Sequence, residues 1–335
     1  MTHNVKVILV GVYALLLGIM GLLKVAQFMK KDVENYLTRA RSFLFLVVIF
    51  TVAFLSSEIG AFLLLALLSY LALKEFFSLV PTRRTDRRVL LWAYWSIPIQ
   101  FYIIYIHWAT LFYLFVPLYV FLLISMRMVM VSNVNGFLKS LATIQWGMMT
   151  SVYALGYLAL ILVIPNKYNP VGGSVGLLFF ILLVTVTNDM MQMICGKTFG
   201  KHKIIPAVSP NKTWEGFIGG VICSTVFTTV LSQFLTPLSI PQAAFAGFVL
   251  AIAGFFGDVT MSAIKRDMGV KDTSMLIPGH GGVLDRFDSL IFTAPLLPPK
   301  HDTLVVVAAM LSWEGSVMLN DAVSVQPLAS VTFRE

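Results

Sequence analysis

The sequence predicts an all-α, polytopic transmembrane helical bundle with about nine or ten spanning helices. Hydrophobic residues make up 58% of the 335 residues, charged residues make up only 12%, and the mean hydropathy is +0.85. Soluble domains are typically about 45–50% apolar and about 25% charged. The long apolar runs lack the polar–apolar alternation of a membrane β-barrel. Composition and run length therefore favour helices that cross a lipid bilayer.

Apolar runs of about 15–22 residues predict the spanning helices in order. The first run follows Lys6 and has no small-residue cleavage site, so we interpret it as a spanning helix and not as a removed signal peptide. The predicted spans are 5–24, 43–57, 60–78, 89–107, 109–126, 145–164, 174–195, 216–235 and 243–263, with a last segment that starts near 287.

Loops rich in Lys and Arg alternate with loops that hold almost none. The basic loops are 24–41, 82–88, 127–139, 197–212 and 265–286. Because cytoplasmic loops are enriched in Lys and Arg, this alternation predicts that all five face the cytoplasm. We interpret the formal net charge of +8 in the same way, and not as a surface for nucleic acid.

The most informative stretch of the chain is 254–288, where Asp258, Asp285 and Asp288 lie close in sequence. Asp285 and Asp288 are three residues apart and would share a helix face. Carboxylate oxygens suit Mg²⁺, which also accepts water and phosphate oxygens. The alternative is ion pairing at a helix end, with Arg286 or Lys265. Asp189, within a predicted span, is a functional candidate because charges are costly in the bilayer.

The same stretch holds a glycine-rich turn, in which Gly281 and Gly282 follow His280, and the cations Lys265, Arg266 and Lys271. Successive glycines let backbone N–H groups converge on an anion, and the cations can neutralise phosphate charge. The alternatives are a loop histidine without a ligand and binding of anionic lipid headgroups.

A second basic cluster precedes the span at 216–235. Ser209 followed by Pro210 predicts a helix start, with Ser209 as the N-cap. Lys212 and Thr213 would then lie in the first turn, where backbone N–H groups and the helix dipole favour phosphate. The two clusters together indicate metal-assisted phosphate chemistry on a lipid.

Residues 262–288 resemble the signature of the phosphatidate cytidylyltransferases, also called CDP-diacylglycerol synthases. The upstream run Ser-Pro-Asn-Lys-Thr-Trp-Glu-Gly also resembles a motif of that family, with Asn211 in place of the usual Lys. The signature positions are Ser262, Ile264, Lys265, Arg266, Lys271, Asp272, Ser274, Ile277, Pro278, His280, Gly281, Gly282, Asp285, Arg286 and Asp288.

The resemblance implies that CTP and phosphatidate are converted to CDP-diacylglycerol and pyrophosphate. It also implies Mg²⁺ and K⁺ as cofactors, a homodimer, and divalent-metal binding by Asp258 and Asp285. The expected catalytic residues are Lys265, Arg266, His280, Asp285 and Asp288. The expected substrate-binding residues are Ser209, Lys212, Thr213, Lys271, Gly281, Gly282 and Arg286. The candidate metal ligands are Asp189, Asp258, Asp285 and Asp288.

These expectations divide the chain into N-terminal transmembrane helices (1–140), a catalytic transmembrane region (141–298) and an atypical C-terminal tail (299–335). We expect a bacterial cytoplasmic membrane, with the active site facing the cytoplasm. The alternatives are a polyprenol kinase, a CDP-archaeol synthase, or an ion-coupled transporter that uses Asp189. The charges cluster at one membrane face, which favours an enzyme over a transporter.

Overall fold

The computed structural model describes residues 2–29, 33–80, 83, 87–130, 135–274, 276 and 281–296, and this part of the chain is almost entirely helical. His280 and the predicted tail at 299–335 lie outside the described residues. The helices are α1 (His3–Phe28), α2 (Glu34–Ser56), α3 (Glu58–Leu79), α4 (Arg87–Tyr105), α5 (Ala109–Val129), α6 (Phe137–Leu162), α7 (Gly173–Phe199), α8 (Trp214–Leu235), α9 (Ile240–Asp267), α10 (Leu284–Phe287) and α11 (Leu290–Thr293).

The all-α, multi-pass fold is confirmed. Within the described ranges, eight helices are long and apolar enough to cross a membrane. Helix α4 is not one of them, because it begins with Arg87 and Arg88 and carries the buried Gln100. The last predicted segment, from 287 onward, is broken into the short helices α10 and α11 as far as residue 296.

Several of the basic loops lie at the same end of the bundle. The Arg83 guanidinium donates to the carbonyl of Asn135 at 2.6 Å, which joins the loop after α3 to the loop before α6. Arg266, at the end of α9, donates to the carbonyl of Val208 at 3.3 Å. Their common end agrees with the predicted alternation of loops, while the orientation in the membrane stays a prediction.

Helices α7, α8 and α9 pack closely because glycines lie where they cross. A Cβ atom on Gly216 of α8 would lie 2.8 Å from the Gln192 carbonyl oxygen, and one on Gly257 of α9 would lie 2.6 Å from the Asp288 carbonyl oxygen. Small residues allow membrane helices to approach closely without a hydrophobic driving force. A Cβ on Gly254 of α9 would lie 3.0 Å from Asn188 Nδ2 of α7, so these contacts bring α7, α8, α9 and the segment after α10 together.

A larger apolar core supports this group from the other side. It is built mainly from α3 to α6, and α10 and α11 pack against it. Helix α6 is the most buried spanning segment of the described chain. The core includes Phe76 and Phe77 of α3, beside Glu75, whose side chain reaches the chain segment before α10.

Candidate active site

Three carboxylates lie together where α7, α9 and the segment after α10 meet. We call Asp189, Asp258 and Asp288 the carboxylate cluster. The Ser289 hydroxyl donates to Asp189 Oδ1 at 3.0 Å, and the Ser289 N–H donates to Asp288 Oδ1 at 2.8 Å. The Ser262 hydroxyl donates to Asp258 Oδ1 at 3.3 Å. All three residues are half-buried, so solvent or a ligand can reach them.

Lys212 is the cation in contact with this cluster. Its Nζ lies 2.6 Å from Asp258 Oδ2 and donates to Gln192 Oε1 at 3.0 Å. Desolvation, followed by the nearby carboxylates of Asp258 and Asp189, raises the pKa of Asp288 well above its usual range. The raised pKa favours a protonated, uncharged Asp288 beside Asp258 and Lys212, and a bound cation would favour its ionised form.

The donor set of the carboxylate cluster fits Mg²⁺ in its chemistry. Across the described ranges, no group of three or more His, Cys, Asp or Glu side chains is arranged so that it could hold a metal ion. Mg²⁺ does not need one, because one or two carboxylates usually hold it together with water and substrate phosphates. The metal-binding roles of Asp189, Asp258 and Asp288 therefore remain predictions.

Asp285 has a different set of contacts. Its Oδ1 accepts from Lys265 Nζ at 2.8 Å. Its Oδ2 accepts from the Gly282 N–H at 2.9 Å, from the Thr273 N–H at 2.8 Å and from the Thr273 hydroxyl at 2.9 Å. Burial opposes ionisation, but Lys265 and the N–H donors outweigh it and lower the pKa of Asp285. A metal ion at Oδ1 would first have to displace Lys265.

Glu75 of α3 holds the same loop from the other side, and the sequence analysis did not identify it. Its carboxylate accepts from the N–H groups of Val283 and Leu284, both at 2.9 Å. It also accepts from the hydroxyls of Ser274 at 2.7 Å and Thr273 at 3.1 Å. We call Glu75 and Asp285 the loop clamp, since together they bind both ends of the segment 273–284. The available signal in the sequence was an acid, next to Lys74, near the end of an apolar run.

The sequence-based prediction of a helix start at Ser209 is wrong. Helix α8 begins at Trp214, and its N-cap is Thr213, whose hydroxyl accepts from the Gly216 N–H at 3.1 Å. Residues before it form turns, in which the Lys212 N–H donates to the Ser209 carbonyl at 3.2 Å. The bridge between Lys203 and Thr213 keeps Thr213 extended. Lys212 therefore reaches Asp258 from a turn, and not from the first turn of a helix.

Glu215 determines the shape of the basic loop before α8. Its carboxylate accepts from the N–H groups of Lys201 at 3.0 Å and His202 at 3.2 Å, and it lies 2.6 Å from His202 Nδ1. These bonds close the loop back on the start of α8. Lys212, eleven residues after Lys201, is thereby placed beside the carboxylate cluster.

The other predicted site residues border these groups. Arg266 donates to the carbonyls of Val208 and Val270, both at 3.3 Å, and so joins the basic loop to the signature segment. Lys271 and Arg286 are exposed. Gly281 has φ +77°, a left-handed conformation that favours glycine, and a Cβ there would lie 2.7 Å from Asp285 Oδ2.

Comparison with known proteins supports a single family. Residues 37–298 match the profile of the Cytidylyltransferase family. The chain is 46% identical over 231 residues to the uncharacterized protein YnbB of Escherichia coli K12, which covers 69% of this chain and 75% of YnbB.

Several relatives carry an enzyme name, and two of them illustrate the match. The phosphatidate cytidylyltransferase of Staphylococcus haemolyticus is 46% identical over 121 residues, or 36% of this chain and 46% of that enzyme. The phosphatidate cytidylyltransferase of Mycobacterium leprae is 40% identical over 119 residues, or 36% of this chain and 38% of that enzyme. The matched region thus spans less than half the length of each named enzyme.

Proposed function

This chain belongs to the cytidylyltransferase family, and from that premise we propose that it transfers the cytidylyl group of CTP to phosphatidate. The products would be CDP-diacylglycerol and pyrophosphate, in phospholipid biosynthesis. The observation that carries the proposal is the half-buried carboxylate cluster, which faces Lys212 beside a second set of cations at one end of the bundle. Such an arrangement suits a polyphosphate and its metal ion.

Asp258 would hold Mg²⁺, with Asp189 and Asp288 beside it. Bound there with CTP, Mg²⁺ would neutralise part of the phosphate charge. Lys212 is already 2.6 Å from Asp258 and would exchange that contact for a CTP phosphate oxygen. Asp285 would act through Lys265, since its oxygens are all occupied by Lys265 and the loop. The family resemblance instead implies that Asp285 binds the metal directly, and this is the alternative to our assignment.

The chemistry needs little activation of the nucleophile. A phosphatidate phosphate oxygen attacks the α-phosphorus of CTP and forms a new P–O–P bond. The bond between the α-phosphorus and the bridging oxygen to the β-phosphate breaks, and pyrophosphate leaves with that electron pair. Lys212, Lys265 and Arg266 would stabilise the charge that develops on the phosphates. Lys271 and Arg286 would contact the substrates from the rim, and the turn at Gly281 and Gly282 would support the site by holding Asp285, to which the Gly282 N–H donates.

The setting of the reaction is also part of the proposal. The chain is an integral, multi-pass membrane protein. The basic end, which holds the site, would face the cytoplasm of a bacterial membrane. Phosphatidate would then enter sideways from the inner leaflet, while CTP arrives from water. A homodimer and a K⁺ requirement follow from the family resemblance and belong to the same proposal.

The direct test uses purified protein in detergent with radiolabelled CTP, phosphatidate and Mg²⁺, with and without K⁺. We expect labelled CDP-diacylglycerol that depends on Mg²⁺ and is stimulated by K⁺. Parallel reactions contain a polyprenol or an ether-linked archaetidic acid. Transfer of the γ-phosphate to the polyprenol would contradict the proposal in favour of a kinase. A strong preference for the ether lipid would identify a CDP-archaeol synthase instead.

A further inference from the structure

We propose that Glu75 is a positioning residue of the active site, which fixes residues 273–274 and 283–284 of the signature and through them Asp285 and Asp288. The loss of activity expected below rests on the proposed function, whereas the expected change in loop structure does not. Glu75 lies almost 200 residues before the segment that it binds. It is 7% exposed, in a helix that the catalytic motifs do not include.

The hydrogen bonds require a carboxylate at position 75. Three donors bind its two oxygens, namely the N–H groups of Val283 and Leu284 and the Ser274 hydroxyl, and the Thr273 hydroxyl shares its one proton between Glu75 and Asp285. An ionised carboxylate accepts at both oxygens, whereas a Gln amide accepts at one and presents N–H donors at the other. In Glu75→Gln, the amide NH₂ would therefore face a backbone N–H, leaving a buried donor unpaired.

Thr273 connects the two carboxylates of the loop clamp. Its hydroxyl lies 3.1 Å from Glu75 Oε2 and 2.9 Å from Asp285 Oδ2. Asp285 in turn accepts from Lys265. Through Thr273 and Asp285, α3 thus helps to fix Lys265, a cation that we expect to contact the substrate.

The second connection runs through the backbone. Val283 and Leu284, which donate to Glu75, begin the segment that carries Asp285 and, three residues later, Asp288. There is no spare room at this contact, because a Cβ on Gly282 would overlap oxygens of Thr273 and Glu75. Without the carboxylate of Glu75, the turn has fewer anchors, and both aspartates are less precisely held.

The test compares Glu75→Gln and Glu75→Asp with Ser69→Ala. Ser69 is also buried on α3, and its hydroxyl donates to the Ser151 carbonyl at 2.6 Å, away from the signature segment. We expect Glu75→Gln to lower kcat by about 30-fold or more, because displaced catalytic groups lose alignment. Glu75→Asp should recover part of the loss. Ser69→Ala should lower the Tm and leave kcat and KM unchanged.

A second readout does not require activity. Val283 is only 4% exposed and its N–H donates to Glu75, so a cysteine there, Val283→Cys, in a Cys195→Ser, Cys223→Ser background reacts only when this part of the chain opens. In detergent-purified protein, Glu75→Gln should speed maleimide labelling of this cysteine by about tenfold, because the loop opens more often. Glu75→Asp should label at an intermediate rate, and Ser69→Ala at the parent rate.

An unchanged labelling rate in Glu75→Gln would overturn the proposal, as would equal acceleration in Ser69→Ala. If Glu75→Gln does not fold, Thr273→Val serves in its place, since it removes the shared hydroxyl at nearly constant volume. It should also speed labelling and lower kcat, and parent values for both would overturn the proposal. Accelerated labelling in a protein that never forms CDP-diacylglycerol would support the role of Glu75 in the loop and refute the proposed function alone.

Discussion

The carboxylate cluster and the loop clamp lie side by side, yet their oxygens are used in opposite ways. In the loop clamp, Glu75 and Asp285 accept from backbone N–H groups, hydroxyls and Lys265, and both are buried. In the carboxylate cluster, Asp258 has Lys212 and one serine hydroxyl, and it remains half-exposed. The first arrangement holds the chain in place, and the second leaves capacity for a cation and a substrate.

This difference divides a single motif between two tasks. Asp285 and Asp288 are three residues apart, but Asp285 belongs to the loop clamp and Asp288 to the carboxylate cluster. The contacts of each carboxylate, more than the motif that contains it, indicate its role.

The largest effect is expected from Asp258→Asn in the carboxylate cluster. It removes the charge that holds Lys212 and, in our proposal, the divalent cation. CDP-diacylglycerol formation should fall by about 10³-fold, as when a principal electrostatic group is removed. The assay is labelled-CTP transfer with purified protein. Asp267→Asn, an exposed carboxylate at the end of the same helix, should keep full activity; equal rates in both variants would exclude the cluster from the chemistry.

The next effect concerns Lys212. Lys212→Met leaves Asp258 without its cation and removes a contact to the CTP phosphates, so kcat/KM for CTP should fall by about 10²-fold. Steady-state kinetics at varied CTP would measure it. Lys197→Met, at an exposed lysine in the last turn of α7, is the matched control. Our assignment of Lys212 fails if its variant is no more impaired than this control.

A smaller effect should follow from Glu215→Gln, which acts on the basic loop and not on the substrate directly. The loop loses charge-assisted hydrogen bonds to Lys201 and His202, so Lys212 is held less accurately. We expect kcat/KM to fall by about tenfold. Combining the substitution with Lys212→Met should add little further loss. Fully multiplicative losses in that double variant would show that Glu215 acts independently of Lys212.

The smallest effect is expected at the N-cap of α8. Thr213→Ala removes the hydroxyl that accepts from the Gly216 N–H and should cost about 1 kcal/mol of stability. Thermal unfolding in detergent would show a lower Tm, and Thr213→Ser should restore most of it. A Tm unchanged by Thr213→Ala would mean that this N-cap contributes nothing measurable in the membrane protein.

Much of the fold was predictable from local sequence. Apolar runs of spanning length predicted nine of the observed helices, because a membrane helix satisfies its own backbone groups and needs only length and hydrophobicity. The motif residues Lys212, Asp258, Lys265 and Asp285 do lie at one end of the bundle, in two contact sets.

What sequence reasoning missed depended on contacts distant in the chain. The role of Glu75 is visible only from its hydrogen bonds to Thr273 and Leu284, which lie about 200 residues later, and no local sequence pattern predicts such a contact. The helix start was misplaced at Ser209 because its capping pattern competes with the Lys203–Thr213 bridge and the bonds to Glu215, which make Thr213 the cap. The separation of Asp285 from Asp288 likewise follows from their partners, and not from their spacing.

The central claim is that the carboxylate cluster binds the divalent cation while the loop clamp shapes the loop. The most direct measurement is Mn²⁺ binding to the purified Asp258→Asn and Asp285→Asn variants. The electron paramagnetic resonance signal of free Mn²⁺ reports how much is bound. We predict that Asp258→Asn loses Mn²⁺ binding and that Asp285→Asn retains it, although both lose activity. Loss of Mn²⁺ binding in Asp285→Asn, or its retention in Asp258→Asn, would contradict this account.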